Sequence, residues 1–159
     1  MKLSNISISA VITRAALPVL LLCAPSTPAY SVDWRFTAMR PTRYGTSLAF
    51  IDVSSIRGGH GRVSFWASTY FSRTSHRMNR VNALVTANCA ALTYRFDRIV
   101  LFYNQRPLGR WASRPTARAL PQTNVYDEIN SACGTRDLGT HIGVPEAFAP
   151  SYFAARQRG

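Results

Sequence analysis

The chain has 159 residues, a length that suits one domain and is hardly enough for two. Hydrophobic residues make up 47% of it and aromatic residues 11%, which excludes wholesale disorder. The formal net charge of +12 favours an anionic partner such as an envelope glycan, lipid head groups or an acidic protein. The alternative is that the charge reflects genomic base composition and serves solubility.

The first 29 residues have the three parts of a secretory signal. Lys2 and Arg14 supply positive charge, residues 15–24 form an apolar run too short to span a bilayer, and small residues precede a cut at Tyr30. Cleavage would lower the formal charge from +12 to +10 and leave arginine as the only basic residue type besides histidine. The alternative interpretation is a buried helix at the start of the domain.

The three cysteines support export. Cys23 follows an apolar run, as in a bacterial lipoprotein, but Leu22 before it is not small, so an ordinary cleaved signal is favoured over lipidation. Cleavage leaves Cys89 and Cys133, an even number that suits an oxidising compartment. We therefore expect a protein of the periplasm, the cell surface or the medium, with no transmembrane helix after cleavage. Export argues against nucleic acid as the partner.

Alternating apolar and polar residues predict an antiparallel sheet. The predicted strands are 32–39, 46–53, 62–72, 81–89 and 93–103, and a short last strand begins at 110. The glycine-rich segment 54–62 is interpreted as a hairpin loop and not as a phosphate loop, because strands lie on both sides of it. The polar and basic residues 73–80 are predicted to form another loop.

A helix is predicted where the periodicity changes, in the segment that ends at Cys133. Thr123 or Asn124 can cap its first turn, and Gly134 is placed to end it in a left-handed turn. Cys133 lies on the apolar side of this helix and Cys89 is in phase with the apolar side of a strand. Since both side chains point inward, we predict a disulfide that links the helix to the sheet.

The residues after 134 give a weaker pattern. Phe148, Tyr152 and Phe153 could pack as a short helix, and the alternative is a mobile tail. The predicted organisation is therefore a signal peptide over 1–29, a domain over 30–134 and a C-terminal tail over 135–159. The predicted fold class is α+β: a single antiparallel sheet of about five to six strands with a C-terminal helix packed on one face and linked by the disulfide.

Residues that could carry catalysis are sparse. The histidines, His60, His76 and His141, have no metal-ligand spacing and are predicted to lie at the surface. Asp52 and Asp97 could form a hydrolytic pair on two strands, but acidic residues are expected to pair with arginines instead, for example with Arg95 or Arg98. No enzyme activity, metal or cofactor is expected.

Arginines and aromatic residues alternate along the central strands, a composition that suits protein or glycan binding. The candidate binding residues are Trp66, Tyr70, Arg73, Arg77 and Arg80. The alternative is a solvated sheet face without a partner.

Several positions together resemble the surface-adhesin protein E family of small exported bacterial proteins. They are Trp34; Phe50, Ile51 and Asp52; Ser55, Ile56 and Arg57; Val63, Phe65 and Trp66; Asn88 and Cys89; Thr93, Tyr94 and Arg95; Trp111; and Cys133. The resemblance covers residues 32–134. It implies an antiparallel sheet with a helix against it, a bridge between the two cysteines, no catalysis and adhesion to host matrix proteins.

The sequence thus predicts an exported, non-enzymatic binding domain of the bacterial envelope or surface, with a protein or an anionic glycan as partner. One alternative is a small periplasmic enzyme with a carboxylate site in a sheet-and-helix cone. Another is a structural envelope subunit that forms a homodimer through an exposed sheet edge.

Overall fold

The structure is a computed structural model and describes residues 32–59, 61–75 and 78–157. The predicted signal peptide, His60, His76 and Arg77 lie outside the described residues. The elements are β1 (Trp34–Thr42), β2 (Gly45–Gly59), β3 (Arg62–Ser75), β4 (Met78–Asn88), β5 (Thr93–Tyr103), β6 (Arg106–Ala112), β7 (Ala117–Arg118), α1 (Asn124–Ala132), β8 (Thr140–His141) and α2 (Pro145–Gln157).

One antiparallel sheet of eight strands forms the centre of the molecule, in the order β6-β5-β4-β3-β2-β1-β8, and β7 pairs with β5. Strands β1 to β6 follow each other in space as they do in sequence. The β5–β6 turn uses Asn104 and Gln105, which both have positive φ, at 45° and 68°. Two such residues give the twist that a two-residue hairpin needs.

The two faces of the sheet are each covered by one helix. The face towards α1, here the α1 face, has a core that includes Ile51, Phe65, Val85 and Ile129. The opposite face, the α2 face, has a smaller core of Leu48, Phe50, Tyr70 and Ala149, with Trp34, Phe36, Ile142, Phe148, Tyr152 and Phe153 packed around it. Leu48, Phe50, Ile51 and Phe65 are fully buried. Side chains one residue apart on β2 therefore enter different cores, as the pleat requires.

Helix α1 is held at both ends. At its start, the Thr123 hydroxyl accepts a hydrogen bond from the Tyr126 amide at 3.3 Å, as a capping residue does. At its end, Cys133 forms a disulfide with Cys89, and Gly134 follows in the left-handed region with a φ of 74°. The predicted disulfide, cap and helix end are thus present in the structure.

The predicted fold class is wrong in its strand and helix numbers. The sheet has eight strands where about five to six were expected, and two helices pack against it where one was expected. β7 and β8 contain two residues each, too few to show any alternation, and form only because the fold places them beside β5 and β1. Helix α2 contains Pro150 and arises from the segment expected to be a tail.

The loops predicted over 54–62 and 73–80 are also shorter than expected. β2 continues to Gly59 and β3 to Ser75, so most of both segments is strand. The β2–β3 pairing is interrupted by an irregularity between Asp52 and Arg57 and then resumes. Backbone pairing extends these hairpins past the buried region, where polar side chains give no pattern that separates strand from loop.

Breaking the disulfide should destabilise the fold. Cys89 and Cys133 are separated by 44 residues, and opening a loop of that length should lower the free energy of unfolding by roughly 4 kcal/mol. Urea denaturation of the exported chain, with and without reduction and alkylation, measures the difference. An unchanged midpoint after complete reduction would show that the bond does not constrain the unfolded chain.

Gly139 should be intolerant of any side chain. Its φ is 78°, and a Cβ would lie 1.8 Å from the backbone oxygen of Phe36, so Gly139→Ala should separate β8 from β1. Gly143 has a similar φ of 68° and no atom within 4 Å of an added Cβ, so Gly143→Ala should cost only about 1 kcal/mol of backbone strain. Hydrogen exchange of the Ile142 amide, which donates to the Trp34 carbonyl, reports the separation. Equal exchange in the two variants would contradict the prediction.

Candidate functional site

A pocket of about 380 Å³ lies at the end of the sheet where β3, β4 and the β5–β6 turn meet α2. We call it the Arg80 pocket. β3 contributes Tyr70, Phe71, Ser72 and Thr74; β4 contributes Asn79 and Arg80; the β5–β6 turn contributes Asn104 and Gln105; and α2 contributes Glu146, Pro150 and Phe153. Its wall therefore combines a guanidinium, a carboxylate, amides and hydroxyls with aromatic rings.

Arg80 is the charged centre of this pocket and is 94% buried, with a relative exposure of 6%. Its Nη1 atom donates to the Tyr70 hydroxyl at 2.9 Å and also to the Glu146 carboxylate. The guanidinium carbon also lies 3.8 Å from the centroid of the Phe102 ring, close enough for a cation–π contact. Arg80 Nε has no hydrogen-bond partner among the described residues. A buried donor without a partner is a place where a ligand oxygen would be stabilised.

Tyr70 stays neutral beside this arginine. Burial raises the pKa of its phenol to about 12, and the nearby positive charge of Arg80 only partly opposes the rise. The Tyr70 ring packs edge-on against Phe50, with ring centroids 5.8 Å apart. Its hydroxyl is therefore fixed in place by the core beneath it and remains a hydrogen-bonding group at any physiological pH.

A second cavity of about 280 Å³ adjoins the Arg80 pocket, and Ser72 and Phe153 border both. We call it the arginine groove, because Arg73 and Arg156 line it together with Thr46 and Gln157. Both arginines are exposed, and neither forms an ion pair within the described part of the chain. The two cavities together present three guanidinium groups and one carboxylate.

The structure places three of the five predicted binding residues in the walls of the two cavities. Tyr70 and Arg80 line the Arg80 pocket, and Arg73 lines the arginine groove. Trp66 lies on the same face of β3 as Tyr70 but lines neither cavity. In the sheet it pairs with Asp52 of β2 and Leu84 of β4. Arg77 lies outside the described residues.

Sequence reasoning missed the contribution of α2. Glu146, Phe153 and Arg156 all reach the two cavities from this helix. The aromatic residues of the segment indicated a short packed helix as one of two alternatives. They gave no sign of which face of the sheet the helix would cover.

The proposed carboxylate pair is not assembled. Asp52 and Asp97 are on β2 and β5, three strand spacings apart, which is about 14 Å. This separation exceeds the distance between paired carboxylates in glycoside hydrolysis. The expected pairing with arginine is confirmed for Asp97, which lies 2.7 Å from Arg95 Nε. Asp52 instead accepts hydrogen bonds from the Ser54 amide and hydroxyl.

His141 lies near the surface, and its Nδ1 is 2.7 Å from an oxygen of Asp33. The interaction with Arg35, and then that with His141, holds the pKa of Asp33 below its usual value. Within residues 32–59, 61–75 and 78–157, no group of three or more histidine, cysteine or acidic side chains could hold a metal ion.

Two adjacent acidic residues of α1 are both buried but differ in their ion pairing. Asp127 is buried and ion-paired with Arg40, at 2.6 Å, and with Arg136. Glu128 is also buried but has no ion pair within the described residues. Burial, with a smaller contribution from the charge of Asp127, raises the pKa of Glu128 to about 8, and the Thr69 hydroxyl partly opposes this rise. At neutral pH the Glu128 carboxyl therefore carries a proton.

Comparison with known proteins gives one distant similarity. The structure of crystal form II of Haemophilus influenzae protein E matches with a TM-score of 0.45 and 18% sequence identity, over 69% of this chain and 94% of that one. No family model and no curated protein sequence matches the chain. None of the described helices is long and apolar enough to span a membrane.

The buried Glu128 should make stability depend on pH. Its pKa is about 8 in the folded protein and 4.5 when unperturbed, so the folded state binds more protons between these values. The free energy of unfolding should therefore be fully retained below about pH 4.5 and fall by roughly 5 kcal/mol as the pH rises through 8. Urea denaturation between about pH 5 and pH 9 measures this slope, in a range where Asp33 and Tyr70 do not titrate.

Glu128→Gln provides the comparison, because the amide keeps the shape of the protonated carboxyl. It should remove most of the pH dependence and be more stable than the natural chain above pH 8. The same slope in both proteins would show that Glu128 is ionised in the folded state at neutral pH.

Proposed function

We propose that the protein is an exported, non-enzymatic binding domain of the bacterial envelope or cell surface that binds an anionic glycan. The binding surface is the Arg80 pocket together with the arginine groove. One observation carries the proposal: the cavities adjoin, and Arg73 and Arg156 have no acidic partner among the described residues. Guanidinium groups bind carboxylates and sulfates through paired hydrogen bonds.

The other residues that line the two cavities favour a sugar over a protein as the ligand. Asn79, Asn104 and Thr74 offer donors and acceptors for hydroxyl groups, and the Phe153 ring offers an apolar surface. Protein partners usually cover wide patches, whereas these cavities of about 380 and 280 Å³ suit a few sugar units. A saccharide with uronate or sulfate groups would satisfy both the cationic and the polar parts of the wall.

Export is supported by features outside the site. The N-terminal 29 residues have the pattern of a cleaved signal, and the two cysteines that remain are bonded to each other. A disulfide between the sheet and α1 suits an oxidising compartment. The sole lysine, Lys2, lies in the predicted signal, so arginine is left to bind anions after cleavage.

The absence of catalysis is part of the proposal, and the geometry supports it. Glu146 is the carboxylate that lines the Arg80 pocket, and it is paired with Arg80. An acid–base mechanism on a glycan normally needs two carboxylates on opposite sides of the bond. Asp52 and Asp97, which were the candidates for such a pair, line neither cavity.

Removing the two unpaired arginines should weaken glycan binding. For the exported chain and a sulfated, uronate-containing hexasaccharide, Arg73→Ala with Arg156→Ala should raise the dissociation constant at least tenfold, because two charge-assisted contacts are lost. Isothermal titration calorimetry at two salt concentrations measures the constant, and the variant should also show a weaker salt dependence.

The matched control is Arg62→Ala with Arg118→Ala. These exposed arginines lie at the opposite end of the strands, so the variant loses the same charge without touching either cavity. It should retain most of the affinity. Equal losses in the two variants would show that binding depends on net charge alone, and an unchanged affinity in the first variant would overturn the site.

A further inference from the structure

A separate cleft of about 330 Å³ lies on the α1 face, between β3, β4 and β5 and the first half of α1. We call it the Glu128 cleft. Its walls are mainly apolar and include Val81, Ala83, Tyr94, Phe96 and Val125. The Tyr94 and Phe96 rings meet edge to face, with centroids 5.1 Å apart, and form one stable side. The volume is near the lower end of the range for small-molecule pockets.

Two polar atoms of this lining are buried without a partner among the described residues, Glu128 Oε1 and Asn124 Oδ1. Glu128 is only 3% exposed. The Asn124 Nδ2 atom donates to the Ser47 hydroxyl at 2.9 Å, which directs the other end of the amide, the acceptor Oδ1, away from that bond. Since the residues are four apart on α1, both side chains lie on the same side of the helix.

Two buried oxygens without hydrogen-bond partners destabilise the folded protein, and a ligand that donates to them would remove this cost. Leaving a buried polar atom unpaired costs about 1–3 kcal/mol, and native proteins contain few such atoms. Here two of them belong to side chains that line an apolar cleft. A ligand that supplied a donor to them would recover this energy and bury its apolar part against the walls.

We propose that the Glu128 cleft binds a small molecule with an aromatic or aliphatic body and one neutral hydrogen-bond donor, such as a hydroxyl. The body lies against Tyr94 and Phe96, and the hydroxyl donates to Asn124 Oδ1 and contacts the Glu128 carboxyl. Phe71 is the one described residue that lines both this cleft and the proposed glycan surface, and the proposal does not require glycan binding.

The charges around the cleft explain why the ligand group is neutral. Asp127, the adjacent acid, is already ion-paired with Arg40 and Arg136 and so is not available as a partner for a cationic ligand. The raised pKa of Glu128 leaves it protonated at neutral pH, so an ammonium group would find no carboxylate partner. An anionic group would face the carbonyl oxygen of the Asn124 side chain, which is an acceptor and cannot donate to it. Tyr94 also has a raised pKa, mainly through burial, and is neutral.

The test uses three probes that share one aromatic ring system on the exported chain at about pH 6: 2-naphthol, naphthalene and 2-naphthoate. Titration followed by amide chemical shifts should show saturable binding of 2-naphthol, with shifts at Ala83, Tyr94 and Val125. Naphthalene and 2-naphthoate should each bind at least tenfold more weakly, because the first lacks the donor and the second is charged. Equal affinity of naphthalene and 2-naphthol would overturn the polar contact, and the absence of saturable binding would overturn the site.

Variants locate the contact. Asn124→Ala should weaken 2-naphthol binding about tenfold and leave naphthalene unaffected, whereas Asn79→Ala in the Arg80 pocket should change neither. Glu128→Gln keeps an oxygen acceptor and should bind 2-naphthol within about threefold of the natural chain. An equal loss for both probes in Asn124→Ala would contradict a specific hydrogen bond. The probe comparison in the unmutated chain decides the proposal even if Asn124→Ala fails to fold.

Discussion

Both faces of the central sheet are apolar, and both must be covered for the strands to be stable. Ile51 and Phe65 need a cover on one side, and Leu48 and Phe50 need one on the other. A single sheet cannot bury two faces against itself, so the chain supplies α1 for the first and α2 for the second. The positions of the Arg80 pocket, the arginine groove and the Glu128 cleft follow from where these two short helices stop covering the strands.

The two helices are held against the sheet by different interactions. α1 is linked covalently through the Cys89–Cys133 disulfide, and Arg40 binds its buried Asp127. α2 is held by aromatic packing and by Glu146, which pairs with the buried Arg80 in the wall of the pocket. The same ion pair therefore stabilises the helix and places a cation in the wall of the candidate binding site.

The two candidate sites differ in chemistry because the faces differ in charge. Beside α2, three arginines meet polar and aromatic side chains, which suits an anionic, hydroxyl-rich ligand. Beside α1, the charges are paired with each other, and the remaining cleft is apolar with two buried oxygens. The two proposed sites of this small domain would therefore take different ligands, a polar anion beside α2 and a neutral apolar molecule beside α1.

The sequence by itself determined the five long inner strands, the helix that ends at Cys133 and the disulfide, because period-two and helical patterns are local and the cysteines lie on the buried sides. It also placed Tyr70, Arg73 and Arg80 among the candidate binding residues, and the structure finds them in the walls of the two adjoining cavities. Only the tertiary structure decided the short strands β7 and β8, the face covered by α2, and the meeting of Arg156 with Arg73. These depend on contacts between residues far apart in the chain, and no local periodicity encodes such contacts.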